Sequence, residues 1–217
     1  MLISEGYFYH INDDFFSLVS EGTLMSNYEN GGYRPHFLAI KDSTNADIFW
    51  MVPVSSRYSK FQGIYQKQVE RYGRCTKIVL GKCDGKDAAF LIQNAFPITS
   101  DYFDHIHTSQ GKPLKLHTGT AKLIIENLNN NLRLHTRGIH LFFADIDRIY
   151  KLMTEHLESI SSHDESDIKE EDAAEAITDT ECQDKDTTPI TESLTGILPQ
   201  TVTLEEAKEE NAKKLKE

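Results

Sequence analysis

Apolar residues along this chain come in short runs separated by polar and glycine-rich stretches, which is the pattern of a sheet built from short strands. Residues 7–11 (YFYHI) predict an aromatic-rich strand. Asn12 or Asp13 is placed to cap a short helix carrying Phe15, Phe16, Leu18 and Val19. Residues 26–33 (SNYENGGY) read as a loop. Residues 36–41 and 48–54 predict two strands around a polar connection, with Pro53 marking the end of the second because it has no N–H to give a ladder. Phe61, Ile64, Tyr65 and Val69 recur near helical spacing over residues 58–72, and Gly73 is a natural stop. Residues 77–83 and 88–93 flank Asp84-Gly85, a hairpin signal, and Pro97 is read as ending the second of these strands. Residues 102–107 predict a short helix or turn, 114–117 a short strand, and 120–134 and 145–157 two helices. No internal repeat is present. Strands first, with helices inserted and then gathered at the end, predict an α+β fold with a mainly antiparallel, strongly curved sheet.

The charge is uneven. The formal net charge of −11 conceals a first part, residues 1–154, with 17 Lys and Arg against 15 Asp and Glu, and a second, residues 155–217, with 6 against 19. All 21 aromatic residues lie in the first part. The first part can bury a core; the second is expected to be an acidic, largely disordered or only locally helical tail that solubilises the chain. No apolar run approaches the ~20 residues of a membrane helix, the N-terminus lacks the basic and apolar regions of a secretory signal, and three cysteines form no disulfide framework, so a cytoplasmic protein is expected.

Between Arg57 and Lys86 there are eight basic residues against two acidic ones. Such a cluster, which includes Lys60, Lys67, Arg71 and Arg74, suits neutralisation of phosphates, and would equally suit a solvated helix face. Ser55 and Ser56 directly follow a strand, with the Arg57 guanidinium next; hydroxyls and a guanidinium can hold phosphate oxygens, while Ser56 could instead cap the following helix. Tyr33, Arg34 and His36 bring an aromatic face, a cation and a titratable imidazole within four positions. Gln93 and Asn94 end an apolar strand and could bond a base edge or merely close the strand. Asp101, Asp104, His105 and His107 sit in a segment read as helical, where His105 and His107 would diverge, so no metal site is expected.

Four stretches, in this order, resemble the toxins of type III toxin–antitoxin systems, in particular the CptN branch of the ToxN/AbiQ group. They are Gly6-Tyr7-Phe8-Tyr9; Tyr33-Arg34-Pro35-His36-Phe37; Trp50-Met51-Val52-Pro53-Val54-Ser55-Ser56-Arg57 with Lys60; and Phe90-Leu91-Ile92-Gln93-Asn94 with Phe96-Pro97-Ile98-Thr99. The likeness covers about residues 1–152, and the acidic tail lies outside it. It implies a small SH3-like barrel with inserted and C-terminal helices, akin to the plasmid-maintenance toxins. It also implies a metal-independent endoribonuclease, without cofactor, that cuts RNA by attack of a 2′-hydroxyl to leave a 2′,3′-cyclic phosphate. The implied partners are a repetitive pseudoknot antitoxin RNA, held in a closed protein–RNA assembly, and target cellular or phage RNA; neither membrane nor DNA is expected.

Residue by residue, the family's critical serine falls on Ser56 and the hydroxyl before it on Ser55. Arg57 and Tyr58 stand where many relatives place a proline and then a lysine, with Lys60 a little further on, and the family's basic residue just after the first-strand proline falls on His36. The implied catalytic set is Ser56, Arg57, His36 and Lys60. The implied RNA-binding set is Tyr33, Arg34, Ser55, Lys67, Arg71, Arg74, Gln93 and Asn94. The alternative from a different class is a non-catalytic RNA-binding module with an acidic interaction tail.

Overall fold

The computed structural model describes residues 3–20, 22–29 and 31–175, with side chains described through residue 161. The acidic tail past residue 175 lies outside the described residues. A compact unit spans Met1–Asp172. Its elements run β1 (Phe8–Ile11), α1 (Asp13–Val19), β2 (Tyr28–Glu29), β3 (Gly32–Tyr33), β4 (His36–Lys41), β5 (Ile48–Ser55), α2 (Tyr58–Tyr72), β6 (Ile78–Cys83), β7 (Lys86–Leu91), β8 (Phe96–Thr99), β9 (Phe103–Ile106), β10 (Thr108–Ser109), β11 (Lys112–Pro113), α3 (Thr118–His135) and α4 (Ile146–Glu175). The fold is α+β, and every strand pairing is antiparallel.

The main sheet has the order β6-β7-β5-β4-β1-β9, with β8 as a further partner of β5. Alternation sorts its side chains onto two faces. Phe37, Val52 and Val54 join Phe8 and Phe90 under α3, while Leu38 and Met51 join Tyr9, Phe15 and Phe96 on the other face. With both faces covered, β5 is buried from end to end, which is why its sequence is one apolar run rather than an alternation. Phe8 and Phe37 each lie 6.2 Å from the Phe90 ring, so β1 and β4 meet β7 in one core although β5 separates them from it along the sheet path. The Ser109 hydroxyl also donates to Asp84 in the β6–β7 turn. No ladder joins β9 to β6 among the described residues, so the sheet is curled and open rather than the closed barrel expected.

Three local expectations are corrected. Pro53 lies inside β5, not at its end: on one edge β5 pairs β8 up to Met51 and β7 from Val54, and Pro53 falls in the changeover, where no ladder needs its N–H. Pro97 does not end a strand but sits within β8, opposite Trp50; the preceding strand stops at Leu91 and a 3₁₀ turn, Ile92–Asn94, intervenes. Residues 103–106 form a strand against β1, because Phe103 alternates inward onto Tyr9 and Phe49. The Asp84-Gly85 hairpin has both residues at positive φ (51° and 73°), as a two-residue type I′ turn requires. α4 continues well past residue 154, with Met153 buried and Leu157 packed on the core.

Candidate active site at the end of β5

The last residue of β5, Ser55, is buried, Ser56 is exposed, and Arg57 is the N-cap of α2 without a side-chain cap bond. Ser55 Oγ accepts the Arg57 N–H at 3.2 Å at the start of the helix, while the hydroxyl protons of both serines turn to Glu29, the last residue of β2. Ser55 Oγ donates to Glu29 Oε1 at 2.8 Å; the Ser56 backbone N–H and Oγ donate to Oε2 at 2.9 and 3.1 Å. Arg57 Nε lies 3.6 Å from Oε1 and Arg34 Nη1 3.5 Å from Oε2. Burial pulls the Glu29 carboxyl upward, but the Ser56 N–H, the Ser55 hydroxyl, the Arg34 charge and the Ser56 hydroxyl outweigh it and hold it below its ordinary value.

Arg34 is fixed from behind. Its Nη1 donates to the Val54 carbonyl at 2.6 Å and its Nε to the Ser26 carbonyl at 2.8 Å, tying the 26–34 segment to the end of β5. Four residues singled out from the sequence, Arg34, Ser55, Ser56 and Arg57, therefore converge on one two-oxygen anion. Glu29 itself was not foreseen. It stands in a loop-like stretch without periodicity, and its serine partners lie 26 and 27 residues away.

The other expected residues divide. Lys60 in the first turn of α2 borders a groove of about 420 Å³ that also includes Gln93, Asn94, Lys77 and Met25. Gln93 and Asn94, in the 3₁₀ turn, are largely buried there. Lys60, Lys67 and Arg71 follow one another at seven and four residues, a single exposed stripe along a helix about 22 Å long, and the exposed Arg74 lies just past its Gly73 cap. Arg74 borders a second groove, about 850 Å³, between α2 and α3. Tyr33 is half-exposed; its ring lies 4.5 Å from Tyr28 and meets His10 edge-on at 6.4 Å.

His36 is the correction. It is 0% exposed, its ring is edged by Phe96 and Phe16, and neither ring nitrogen has a hydrogen-bond partner of normal geometry. Burial, then the nearby Arg34 and His10 charges, push it down to about 3. The alternation of β4 aims it into the core on the Leu38 side, so in this structure its neutral imidazole is not presented to a substrate.

A second group of side chains joins His105 and His107, singled out above, to His10, which was not foreseen. Because β9 is a strand, His105 lies opposite His10 across the ladder, stacked at 4.5 Å, and His107 approaches His10 with Nδ1 2.8 Å from its Nε2. Burial and the two neighbouring histidines lower His10 to about 4. The cue available in the sequence was the i, i+2 spacing of His105 and His107, which has meaning only on a strand.

No family model matches the sequence, and no curated protein matches it. Solved structures do. One is AbiQ, a lactococcal anti-phage endoribonuclease belonging to the type III toxin–antitoxin system: 13% identity, TM-score 0.52, covering 71% of this chain and 99% of that one. A second, with the same identity, score and coverage, comes from a bacterial type III toxin–antitoxin system in which a non-coding RNA pseudoknot selectively inhibits the toxin. This chain shares their fold. The match spans nearly the whole length of both neighbours.

Proposed function

We propose that this protein is an endoribonuclease toxin of a type III toxin–antitoxin system. It acts in the cytoplasm and is held inactive by a small pseudoknot RNA in a closed protein–RNA assembly. The observation that carries the reading is the convergence of Ser55, Ser56, Arg34 and Arg57 on one anion position at the end of β5, on the fold shared with AbiQ. The curled sheet takes the part of the family's SH3-like barrel, with residues 1–154 carrying the activity and, of residues 155–217, the acidic stretch beyond the core-packed Leu157 dispensable for it.

In this reading the scissile phosphate sits at that position. A 2′-hydroxyl attacks the phosphorus in line and gives its proton to water, the P–O5′ bond breaks, the 5′-oxygen leaves with a proton taken from water, and charge builds on the non-bridging oxygens. The Ser56 N–H and hydroxyl and the Arg57 guanidinium bind those oxygens, the kind of preorganised stabilisation that dominates phosphoryl chemistry. Lys60 adds a second cation one helical turn away. With side-chain cations supplying the charge, the chemistry is metal-independent. Gln93, Asn94 and Tyr33 contact the flanking nucleotides, Lys67 and Arg71 hold the backbone along α2, and Arg74 holds it just past the helix end.

The test is full-length protein, freed of bound RNA, mixed with single-stranded RNA in excess EDTA, with product ends mapped. The expected product carries a 2′,3′-cyclic phosphate. Ser56→Ala and Arg57→Ala are each expected to slow cleavage by about 100-fold or more while leaving the melting temperature nearly unchanged. RNA retained without cleavage would instead identify a binding module and reduce Ser55-Ser56 to a structural turn.

A further inference from the structure

The seat assigned above to a phosphate is already filled. Both oxygens of Glu29 accept from it, Oε1 from Ser55 and Oε2 from Ser56, with a guanidinium beside each. A carboxylate and a phosphodiester present the same two-oxygen acceptor face, so one set of donors suits both. They cannot occupy the seat together: two anions sharing one set of cations repel, and the donors are too few for both.

The element that carries Glu29 is built to be separable. β2 and β3 pair only with each other, two residues a side, and form a sheet of their own apart from the main one. Away from the seat, the hairpin is fastened by Asp13 at the start of α1. Its carboxylate accepts from Tyr28 Oη at 2.6 Å, from Asn27 Nδ2 at 2.8 Å and from Tyr33 Oη at 3.5 Å. These bonds draw the Asp13 carboxyl below its ordinary value. The hairpin is thus fastened at Asp13 and at the seat, and its flanks are tied by Asn27 Nδ2, which also donates to the Ile11 carbonyl at 2.9 Å, and by Arg34 on the Ser26 and Val54 carbonyls.

We infer that Glu29 is a built-in stand-in for the phosphate: the β2–β3 hairpin closes the anion seat in the free protein, and RNA enters by displacing the Glu29 carboxylate. The inference rests on the reading of the seat as a phosphate site. It makes Glu29 a competitor of the ligand rather than a helper. Its loss strengthens anion binding, as does loosening of the far fastening at Asp13, although Asp13 touches none of the seat's donors. It also gives selectivity, since only an anion that engages most of the five donors repays the displacement.

The experiment titrates full-length protein with inorganic phosphate and, separately, with a 2′-deoxy oligonucleotide that cannot undergo 2′-hydroxyl attack. Wild type, Glu29→Gln, Glu29→Ala and Asp13→Ala are compared, with melting curves to establish that each is folded. The expected result is at least about tenfold tighter binding of both probes by the folded Glu29 variants, a smaller gain in Asp13→Ala, and loss of the gain when Arg57→Ala is added to Glu29→Ala. Equal or weaker binding in a folded Glu29 variant, or an unchanged Asp13→Ala if the Glu29 variants do not fold, overturns the inference and makes Glu29 a structural clamp. RNA cleavage by the wild type is scored in the same preparations. Tighter phosphate binding without cleavage upholds the displacement and removes the ribonuclease; cleavage with no gain in binding does the reverse.

Discussion

Arg34 and Arg57 bring the same guanidinium to the same carboxylate, yet burial separates their roles. The Arg34 side chain is 4% exposed and also satisfies two main-chain carbonyls, whereas that of Arg57 is 61% exposed. Removing Arg34 leaves the Ser26 and Val54 carbonyls and one side of Glu29 without their donor, the kind of loss that costs about 3–5 kcal/mol. Removing Arg57 is expected to cost less than about 1 kcal/mol. Urea unfolding of Arg34→Ala and Arg57→Ala checks this: a large drop in midpoint for the first only, with equal drops contradicting the division. The residues of the seat were legible in the sequence because hydroxyls and a cation follow a strand directly. Glu29 was not, because nothing in a loop sequence tells which way its carboxylate turns. His36 was found as a residue of β4, but the face it takes depends on what packs there, Phe16 and Phe96, and neither is near it in sequence.

Elements with a strong period were readable, and the misreadings fell where two elements share an edge. β5 changes partner from β8 to β7 within a few residues, so Pro53 looks like a terminus from its own strand alone. β9 carries only Phe103 as a buried anchor in a polar segment, too weak an alternation to declare a strand. α2 shows the opposite case. Its apolar face is thin, with Phe61 its one buried residue, and its exposed stripe is basic. Lys67 and Arg71 stand in that stripe away from the serines, so they bear on holding RNA and not on cutting it. Lys67→Ala and Arg71→Ala are each expected to weaken binding of the 2′-deoxy oligonucleotide and to flatten its dependence on log salt by about 0.7. The cleavage rate at saturating RNA should stay as in the wild type. A fall in that saturated rate, with the salt slope unchanged, would move these cations into the reaction itself.

At the scale of the whole molecule, the same burial that withholds His36 makes the fold sensitive to acid. His36 at about 3 and His10 at about 4 lie below the ordinary 6.5, and burial lowers His107 as well. Between about 6.5 and those folded values the unfolded chain binds protons that the native protein refuses, so stability rises with pH through that window and is lost as pH falls through it. For the fully buried His36 the slope reaches about 1.4 kcal/mol per pH unit. The carboxylates act lower down. Asp42, held to about 2 by Thr44, Trp50 and Asn45 against the pull of burial, and Glu29 and Asp13, also held low, contribute stability present above about 4 and lost as pH falls through their folded values. Acid should therefore weaken the protein in two stages, histidines first. Melting temperatures measured from pH 7.5 to 3 are expected to fall from about pH 6.5 downward. His36→Phe, which fits an aromatic-lined site and has no nitrogens to leave unbonded, should raise stability at pH 5 relative to wild type and flatten the upper stage while leaving the lower one in place. A melting temperature constant from pH 6.5 to 4.5 in the wild type would mean that the core opens to let these rings ionise, and the closed packing around His36 would then be wrong.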